Sequence, residues 1–358
     1  MMPGGYRIAV VPGDGIGLEV VPPAIALVDA AATHRGVSLT WERFDWGCDR
    51  YLRTGEFMPA DALAILADYD AILLGAVGDP RVPDHLSLWS LLIPIRRGFS
   101  QRVNLRPIRR LPGIGGPLRS ETPIDYVVVR ENVEGEYSEI GGRLYRDSDD
   151  EMAVQESVFT RRGVEAVMEY AFGIASSRRK TLVAATKSNG IIHTMPFWDQ
   201  VFDEVGKRFG DVTTRRVHID ALAAELVLRP SALDVIVASN LFGDILSDLG
   251  AAVVGSIGLG PSANIDPSGV HPGMFEPIHG SAPDIAGTGV ANPIATCWSA
   301  AMMAEHLGEV GVAGDIMTAI ESVTTDGTVL TPDLGGTATT AAVGEALVSA
   351  LPRPRKPG

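Results

Sequence analysis

The chain has 358 residues, of which 46% are hydrophobic and 21% charged, and its net charge is −14. This length accommodates two domains or one large α/β domain. The acidic balance excludes a general binder of nucleic acid or anionic membranes.

Apolar strand patterns and helical patterns alternate along the chain, which is typical of an α/β fold. The patterns predict strands at residues 7–11, 39–44, 71–75, 124–130, 180–186, 213–218 and 233–238. They predict helices at residues 19–32, 61–66, 160–176, 195–209, 221–228, 292–305 and 312–323, with a further helix starting near Phe242. The segment 249–260 is rich in glycine and apolar residues. The basic, proline-rich end at residues 351–358 is expected to be a frayed, flexible tail.

The segment 138–158 differs from its surroundings. Gly141 and Gly142 stand beside alternating polar and apolar residues, which predicts a two-stranded excursion. An isolated ribbon is marginal by itself, so we expect it to pair with a second subunit.

The cysteines and the apolar runs bear on the cell compartment. Cys48 and Cys297 are too few for a disulfide framework, and a reducing compartment is the simplest interpretation. The N-terminus has no apolar signal core, and no apolar run is long enough to span a membrane. We expect a soluble cytoplasmic protein.

The segment Asn240–Asp248 carries two carboxylates four residues apart. If a helix begins near Phe242, Asp244 and Asp248 project from one face. Like charges at this spacing repel each other unless a cation lies between them, and Mg²⁺ or Mn²⁺ prefers carboxylate oxygens. A solvated acidic helix face is the alternative.

The glycine-rich segment Gly13–Gly17 follows the first strand. Glycines there permit a tight turn and close approach of a ligand. Leu18 stands where the Rossmann fingerprint needs its third glycine, and the Lys-Ser/Thr of a P-loop is absent. By itself this loop is weak evidence for any ligand.

Three arginines indicate an acidic ligand. Arg96, Arg106 and Arg130 fall at predicted element ends, and arginine matches carboxylates bidentately. They suggest a substrate with more than one carboxylate. Surface ion pairing is the alternative for any one arginine, and it is our interpretation of Arg109, Arg110, Arg161, Arg162, Arg178 and Arg179.

Further polar residues stand near the ends of strands. Tyr137 follows Arg130 by seven residues, and Lys187 follows an apolar strand, where partial desolvation makes a general base plausible. A surface lysine is the alternative. Asp220 falls at a strand-to-helix junction, where capping of the helix is the simplest role.

The segment 276–292 is rich in small residues and backbone donors. It suits a loop that closes on an adenosine, because Asp284 can accept from ribose hydroxyls and repel a 2′-phosphate. A plain Gly/Pro loop is the alternative.

Taken in this order, these segments resemble the metal-dependent β-decarboxylating dehydrogenases, the family of isopropylmalate and isocitrate dehydrogenases. The resemblance runs from Arg7 to about Val348, and the segments 240–248 and 276–284 are its most specific parts. Within the family, residues 78–92 resemble the tartrate dehydrogenase/D-malate dehydrogenase (decarboxylating) branch.

The resemblance implies a role for each site residue. Arg96, Arg106 and Arg130 would hold the substrate carboxylates, with Trp89 and Leu92 beside them. Tyr137 would be the acid that protonates the enol carbon, and Lys187 the base for the 2-hydroxyl. Asp220 would join Asp244 and Asp248 around Mn²⁺ or Mg²⁺. The NAD site would comprise Asn189, near the nicotinamide, and Glu276, His279, Gly280, Ser281, Ala282, Asp284 and Asn292, which line the adenosine site.

The resemblance also implies an architecture. Its fold is a two-domain α/β/α sandwich with a non-Rossmann NAD site and a β-arm for dimerisation. Residues 1–101 and 258–350 would form the large cofactor-binding domain, and residues 102–257 the small domain with the dimer interface. The family is at least dimeric, and Lys187 and Asp220 would come from the partner subunit.

The expected activity is oxidation of tartrate, D-malate or both by NAD, with decarboxylation of D-malate to pyruvate. The runner-up is 3-isopropylmalate dehydrogenase, against which the bulk of Trp89 speaks. An isocitrate dehydrogenase-like enzyme and a non-catalytic regulatory subunit rank lower. The sequence leaves open Mn²⁺ against Mg²⁺, a requirement for K⁺, dimer against tetramer, and the effect of Arg102 where this branch is expected to carry tyrosine.

Overall fold

The computed structural model describes residues 5–118 and 123–353. The predicted tail therefore lies mostly outside the described residues. The strands are β1 Tyr6–Gly13, β2 Leu39–Arg43, β3 Ala71–Ala76, β4 Val103–Arg109, β5 Asp125–Glu131, β6 Gly141–Leu144, β7 Met152–Gln155, β8 Thr181–Thr186, β9 Thr213–His218, β10 Val235–Ala238, β11 Pro261–Ile265 and β12 Gly273–Pro277.

The helices surround these strands. They are α1 Gly17–Arg35, α2 Cys48–Thr54, α3 Ala62–Leu66, α4 Asp84–Ser87, α5 Ile93–Gly98, α6 Arg161–Ser177, α7 Thr194–Gly206, α8 Ile219–Leu228, α9 Asn240–Val254, α10 Ile294–His306, α11 Val310–Asp326 and α12 Thr340–Ser349. A π-helical turn, Leu88–Leu92, joins α4 to α5. None of the helices among the described residues has the length and apolarity needed to cross a membrane.

Ten strands form one mixed sheet, in the order β2-β1-β3-β12-β11-β4-β5-β10-β8-β9. The first five come from residues 6–76 and 261–277, and the other five from residues 103–238. The two groups meet where β11 pairs antiparallel with β4, at Asn264 opposite Asn104. The chain thus leaves the first half of the sheet once and returns to it.

Alternating side chains on the strands bury both faces of the sheet. Val127 and Val129 of β5 pack under the helix layer that contains α1, α6, α7 and α10–α12. Tyr126 and Val128 face α8 and α9 on the other side. The residues of β1 alternate in the same way, and its second face lies against α2 and α3. This period of two gives the predicted α/β/α sandwich.

The predicted excursion is a hairpin of β6 and β7, with Leu144 opposite Met152. Both strands are exposed along their whole length. Leu144, Met152 and Val154 lie on one face, because cross-strand partners and alternate residues share a face of a ribbon. This apolar face has no covering layer among the described residues.

The sequence patterns missed several elements. The strands β4, β11 and β12 and the short helices α2, α4 and α5 were not predicted, nor was α12. Buried polar residues such as Asn104 and Asn264 interrupt the apolar pattern of β4 and β11. Helix α9 begins at Asn240, two residues before the predicted start, and runs on to Val254 through part of the segment left unassigned.

Candidate active site

A pocket opens where the two halves of the sheet meet. Its walls come from the π-helical turn, α5, the middle of β4, the ends of β5 and β12, and the start of α9. Leu88, Leu92 and Ile93 form an apolar side. The rest of the lining is largely polar and includes the predicted arginines.

The three predicted arginines come together in this pocket. Arg96, Arg106 and Arg130 all line it, and all three are buried. Arg106 lies in the middle of β4 and not at an element end as predicted, because β4 itself was not recognised. Three buried guanidinium groups facing one pocket in an acidic protein favour an anion with several carboxylates.

Asp244 is the anionic centre of the group. Its carboxylate accepts from Arg130 Nη1 at 2.5 Å, from Arg106 Nη1 at 3.1 Å and from the Tyr137 hydroxyl at 3.2 Å. Burial opposes its ionisation, but Arg130, Arg106 and Arg96 outweigh that effect and hold the pKa of Asp244 below its usual value. Asp244 is therefore a carboxylate at neutral pH.

Asp248 lies one turn further along α9, and its Oδ1 is 3.8 Å from the same Arg106 Nη1. The two aspartates share one face, as the spacing predicts. Burial, followed by the smaller repulsion from Asp244, raises the pKa of Asp248 despite the attraction of Arg106. A divalent cation would relieve this penalty, because it favours both ionised forms.

The aspartate pair fits a metal ion in donor type and position, but two carboxylates are too few to enclose one. Across residues 5–118 and 123–353, no group of three or more His, Cys, Asp and Glu side chains is placed to hold a metal.

Lys187 and Asp220 lie outside this pocket and pair with each other. Lys187 Nζ donates to Asp220 Oδ1 at 2.6 Å. The bond to Lys187 lowers the pKa of Asp220. Asp220 is the second residue of α8 and His218 holds the N-cap position, so the simple capping role is wrong. Asn189 is exposed in the turn after Lys187.

Tyr137 reaches the pocket from the segment that follows β5. Glu136 accepts from the Ser239 hydroxyl and from Leu241 N, so this segment is tied to the first turn of α9. Burial and the neighbouring Asp244 raise the pKa of Tyr137. The phenol stays protonated at neutral pH and can act as an acid.

Glu276 and Trp89 lie differently from what the resemblance implied. Glu276 belongs to β12, and its Oε1 accepts from Arg96 Nη2 at 2.7 Å, so it faces the arginines. Trp89 is not among the residues that line the pocket, and its ring lies 5.1 Å from Cζ of Arg97. Leu92 does line the pocket.

The loop after β12 continues along the pocket. His279 and Gly280 line its outer edge, and burial lowers the pKa of His279. Ser281 is buried, and its carbonyl accepts from Ile16 N at 2.9 Å, which joins this loop to the glycine-rich turn after β1. A side chain at Gly15 would clash with the same carbonyl.

The remaining predicted cofactor residues lie further along the same loop. Ala282 has φ 41°, and Asp284 is exposed. The Asn292 amide donates to Asp333 at 3.0 Å and is fixed before α10 begins.

Several site residues escaped the sequence analysis. They are polar residues that line or support the pocket: Arg97, Asn132 and Asn240 in its wall, and Asn104 and Ser247 on Arg106. Asn240 accepts from Arg130 Nε and Nη2 and thereby sets the plane of that guanidinium. The uncharged residues of this set carried no distinctive sequence motif.

Arginines that we assigned to ion pairing form such pairs at four positions described below. Arg109 pairs with Glu321, Arg161 with Glu204, and Arg178 and Arg179 with Asp234. These interactions lie outside the pocket and support the separation of structural from site arginines.

The family follows from comparison with known proteins. A family model described as isocitrate/isopropylmalate dehydrogenase matches residues 7–347. The chain belongs to this family. It is 50% identical to a tartrate dehydrogenase/decarboxylase of Pseudomonas putida, over 97% of this chain and 98% of that protein. It is 49% identical to the D-malate dehydrogenase (decarboxylating) of Escherichia coli strain K12, over 97% and 99% of the two chains.

The fold agrees with a solved structure of the family. The isocitrate dehydrogenase of Methylococcus capsulatus superimposes with a TM-score of 0.88 at 33% identity, covering 96% of this chain and 99% of that one. The predicted fold class is confirmed. Membership in the family implies a divalent metal ion and NAD as cofactors, and a small-molecule acid as substrate.

Proposed function

We propose that this protein is an NAD-dependent, divalent-metal-dependent dehydrogenase of 2-hydroxy diacids. Its substrates are tartrate, D-malate or both, and D-malate is decarboxylated to pyruvate and CO₂. The observation that carries the proposal is the convergence of Arg96, Arg106 and Arg130 on one pocket beside Asp244. A diacid supplies the carboxylates that three buried guanidinium groups need.

The apolar side of the pocket supports a small substituent on the substrate. Leu88, Leu92 and Ile93 form that side, and they offer no partner for a third carboxylate such as isocitrate carries. The two named relatives act, by their names, on tartrate and D-malate, which are four-carbon diacids.

The metal ion, Mn²⁺ or Mg²⁺, would be held by Asp244 and Asp248 with Asp220 of the partner subunit. When bound, it supplies Lewis-acid polarisation of the oxygen at C2. Asp244 is already ionised, and the exposed side chain of Asp220 is free to reach a neighbouring chain. In the structure Arg106 and Arg130 pair with Asp244. A cation bound to Asp244 would replace them there and would leave both guanidinium groups available to the substrate carboxylates.

Lys187 of the partner subunit would accept the proton of the 2-hydroxyl while hydride leaves C2 for NAD. Its pairing with Asp220 supports this, because the end of β8 and the start of α8 of the partner would then deliver the base and a metal ligand together. Tyr137 would return a proton to C3 of the enol left by loss of CO₂. Tartrate, which carries a C3 hydroxyl, can stop at oxidation.

NAD would bind along Glu276, His279, Gly280, Ser281, Ala282, Asp284 and Asn292, with Asn189 near the nicotinamide. Asp284 is exposed and would repel the 2′-phosphate of NADP. Glu276, paired with Arg96, would lie where the cofactor and substrate meet.

The active unit is a homodimer or a higher oligomer of the cytoplasm. Residues 102–257 form its small domain, and residues 1–101 and 258–350 the large, cofactor-binding one. The strand order supports this division, because each half of the sheet consists of strands from only one of these two domains. The exposed apolar face of the β6–β7 hairpin supports its role as an intersubunit arm.

The test is a substrate panel. NADH formation with Mn²⁺ is followed for D-malate, L-tartrate, meso-tartrate, 3-isopropylmalate and isocitrate, with and without K⁺. We expect turnover of D-malate or a tartrate isomer to exceed that of the other two acids. A preference for 3-isopropylmalate would overturn the choice of substrate.

A further inference from the structure

One arginine of the pocket is not explained by substrate binding. Arg97 lines the pocket beside Arg96, yet its guanidinium is turned to protein partners. Arg97 Nη2 donates to the Tyr137 carbonyl at 3.0 Å, Nε donates to the Val133 carbonyl at 3.3 Å, and Nη1 donates to Glu139 Oε2 at 2.9 Å. Three of its five N–H groups hold the segment 133–139.

The indole of Trp89 lies against the same guanidinium, with Cζ 5.1 Å from the ring centroid. This cation–π contact restrains the guanidinium in addition to its hydrogen bonds. Trp89 belongs to the π-helical turn that leads into α5, so the ring and the arginine are presented by one continuous helical segment.

Tyr137 therefore has two anchors from different parts of the fold. Glu136 ties its segment to the first turn of α9, which carries Asp244. Arg97 ties it to α5, which carries Arg96. Arg96 and Arg97 are adjacent residues of α5. Because Arg97 holds the Tyr137 segment, α5 sets the distance between the Tyr137 phenol and Arg96, the proposed ligand of a substrate carboxylate.

We propose that Arg97 is a positioning residue for Tyr137, held in place by Trp89, and that Trp89 acts through Arg97 and not as a wall of the substrate pocket. This inference rests on the proposed function, in which the Tyr137 hydroxyl gives its proton to C3 of the enol. In that step the C2–C3 double bond becomes single, and the enol oxygen gives its proton to Lys187, the proposed base at C2, as the C2 carbonyl forms.

The geometry predicts a split between two reactions of the same site. Oxidation of tartrate needs no proton at C3, whereas conversion of D-malate to pyruvate does. Displacement of the Tyr137 segment should slow the second reaction more than the first, because general-acid catalysis depends on short hydrogen-bond distances.

The experiment compares Arg97→Gln, Arg97→Lys and Tyr137→Phe in the full-length protein with Mn²⁺. Exchange of pyruvate methyl protons with deuterium in D₂O, with NADH present, reports proton transfer at C3 and is followed by NMR. We expect Arg97→Gln to slow this exchange roughly tenfold to a hundredfold. The KM for tartrate should change less than about threefold, and Arg97→Lys should recover part of the loss by keeping the charge.

Glu139→Gln is the matched control. It removes only the charge of the exposed partner of Arg97 and leaves the bond to the Tyr137 carbonyl, so exchange should stay within about twofold of the unaltered protein. Circular dichroism checks that each variant is folded. Arg97→Lys remains informative if Arg97→Gln does not fold.

Three results would overturn the proposal. Unchanged exchange in both Arg97 variants would show that Arg97 does not position the acid. A large rise in the KM for tartrate with unchanged exchange would make Arg97 a substrate ligand. Exchange that survives Tyr137→Phe would show that Tyr137 is not the acid, and the proposal for Arg97 would fail with it. The overall reaction would still be tested separately by the substrate panel.

Discussion

At the scale of single residues, charge balance explains the pocket. Burial together with the neighbouring Arg106 lowers the pKa of Arg130 to about 10, so the guanidinium remains charged at neutral pH. Asp244 provides the opposite charge, and Asn240 fixes the guanidinium plane. A cluster of three buried cations is tolerated because each finds a hydrogen-bonding acceptor nearby.

Replacement of Lys187 by methionine tests the proposed base. Methionine keeps the length and apolar stem of the side chain but cannot accept a proton. We expect NAD binding, measured by calorimetry, to stay within about twofold, while turnover falls by roughly 10²–10⁴-fold. Near-normal turnover would remove Lys187 from the mechanism.

Glu131 carries a second prediction, on stability. Its carboxylate is buried, accepts from Val133 N and Glu134 N, and lies 3.4 Å from the Asn240 amide. Burial raises the pKa of Glu131 to about 7, above its ordinary value of 4.5. The folded protein therefore holds a proton there that the unfolded chain releases, so stability falls as pH rises from about 4.5 to 7.

Glu131→Gln should remove this dependence. In the unaltered protein Glu131 lowers the free energy of unfolding by up to about 1.4 kcal/mol for each pH unit across that window. The variant should give a flatter curve of unfolding free energy against pH in urea titrations at fixed protein concentration. Identical slopes in the two proteins would contradict the assignment.

At the scale of elements, the helical segment 84–98 is the part of the site least visible in the sequence. It divides into α4, a π-helical turn and α5, each only four to six residues long. π-Helical turns often occur at functional sites. Pieces this short show too few turns for a helical period to be read, so the helix that presents Arg96 and Arg97 was not predicted.

The β6–β7 hairpin carries the prediction at this scale. Leu144→Thr with Met152→Thr keeps strand-forming residues but removes most of the exposed apolar face. We expect the subunits to dissociate at protein concentrations where the unaltered chain stays dimeric, as measured by sedimentation velocity. Arg143→Thr, on the opposite face of the ribbon, is the control and should leave association unchanged.

At the scale of the whole molecule, the site is divided between two regions of the chain. The arginines, Tyr137 and Asp244 form one group, and Lys187 with Asp220 forms another that does not line the same pocket. The proposed sharing of the site between subunits would explain why both groups are present and yet apart.

Subunit mixing tests the shared site. Lys187→Met and Asp244→Asn are each expected to be inactive as homodimers. After random subunit exchange, half of the dimers are hybrids, and each hybrid has one intact site and one doubly altered site. About a quarter of the unaltered activity should therefore return. Absence of any recovery, with hybrid formation verified by mass spectrometry, would place both residues in one subunit's site.

The sequence by itself determined the fold class and most of the chemistry-bearing residues. Apolar, β-branched runs in β1, β3, β5, β8 and β10 indicated a buried sheet, since the composition of a short run is a local property of the chain. The spacing of Asp244 and Asp248 was enough to predict that both lie on one face of α9, because four residues make about one helical turn.

Only the tertiary structure decided which side chains meet. The sheet order brings β12 and β4 to either side of β11, although β4 is more than 150 residues away in the chain from β11 and from β12. The three strands thereby place Glu276, Asn264 and Asn104 in one polar row. It also places the Glu276 carboxylate against Arg96. Contacts between distant segments depend on packing, and no local pattern encodes them.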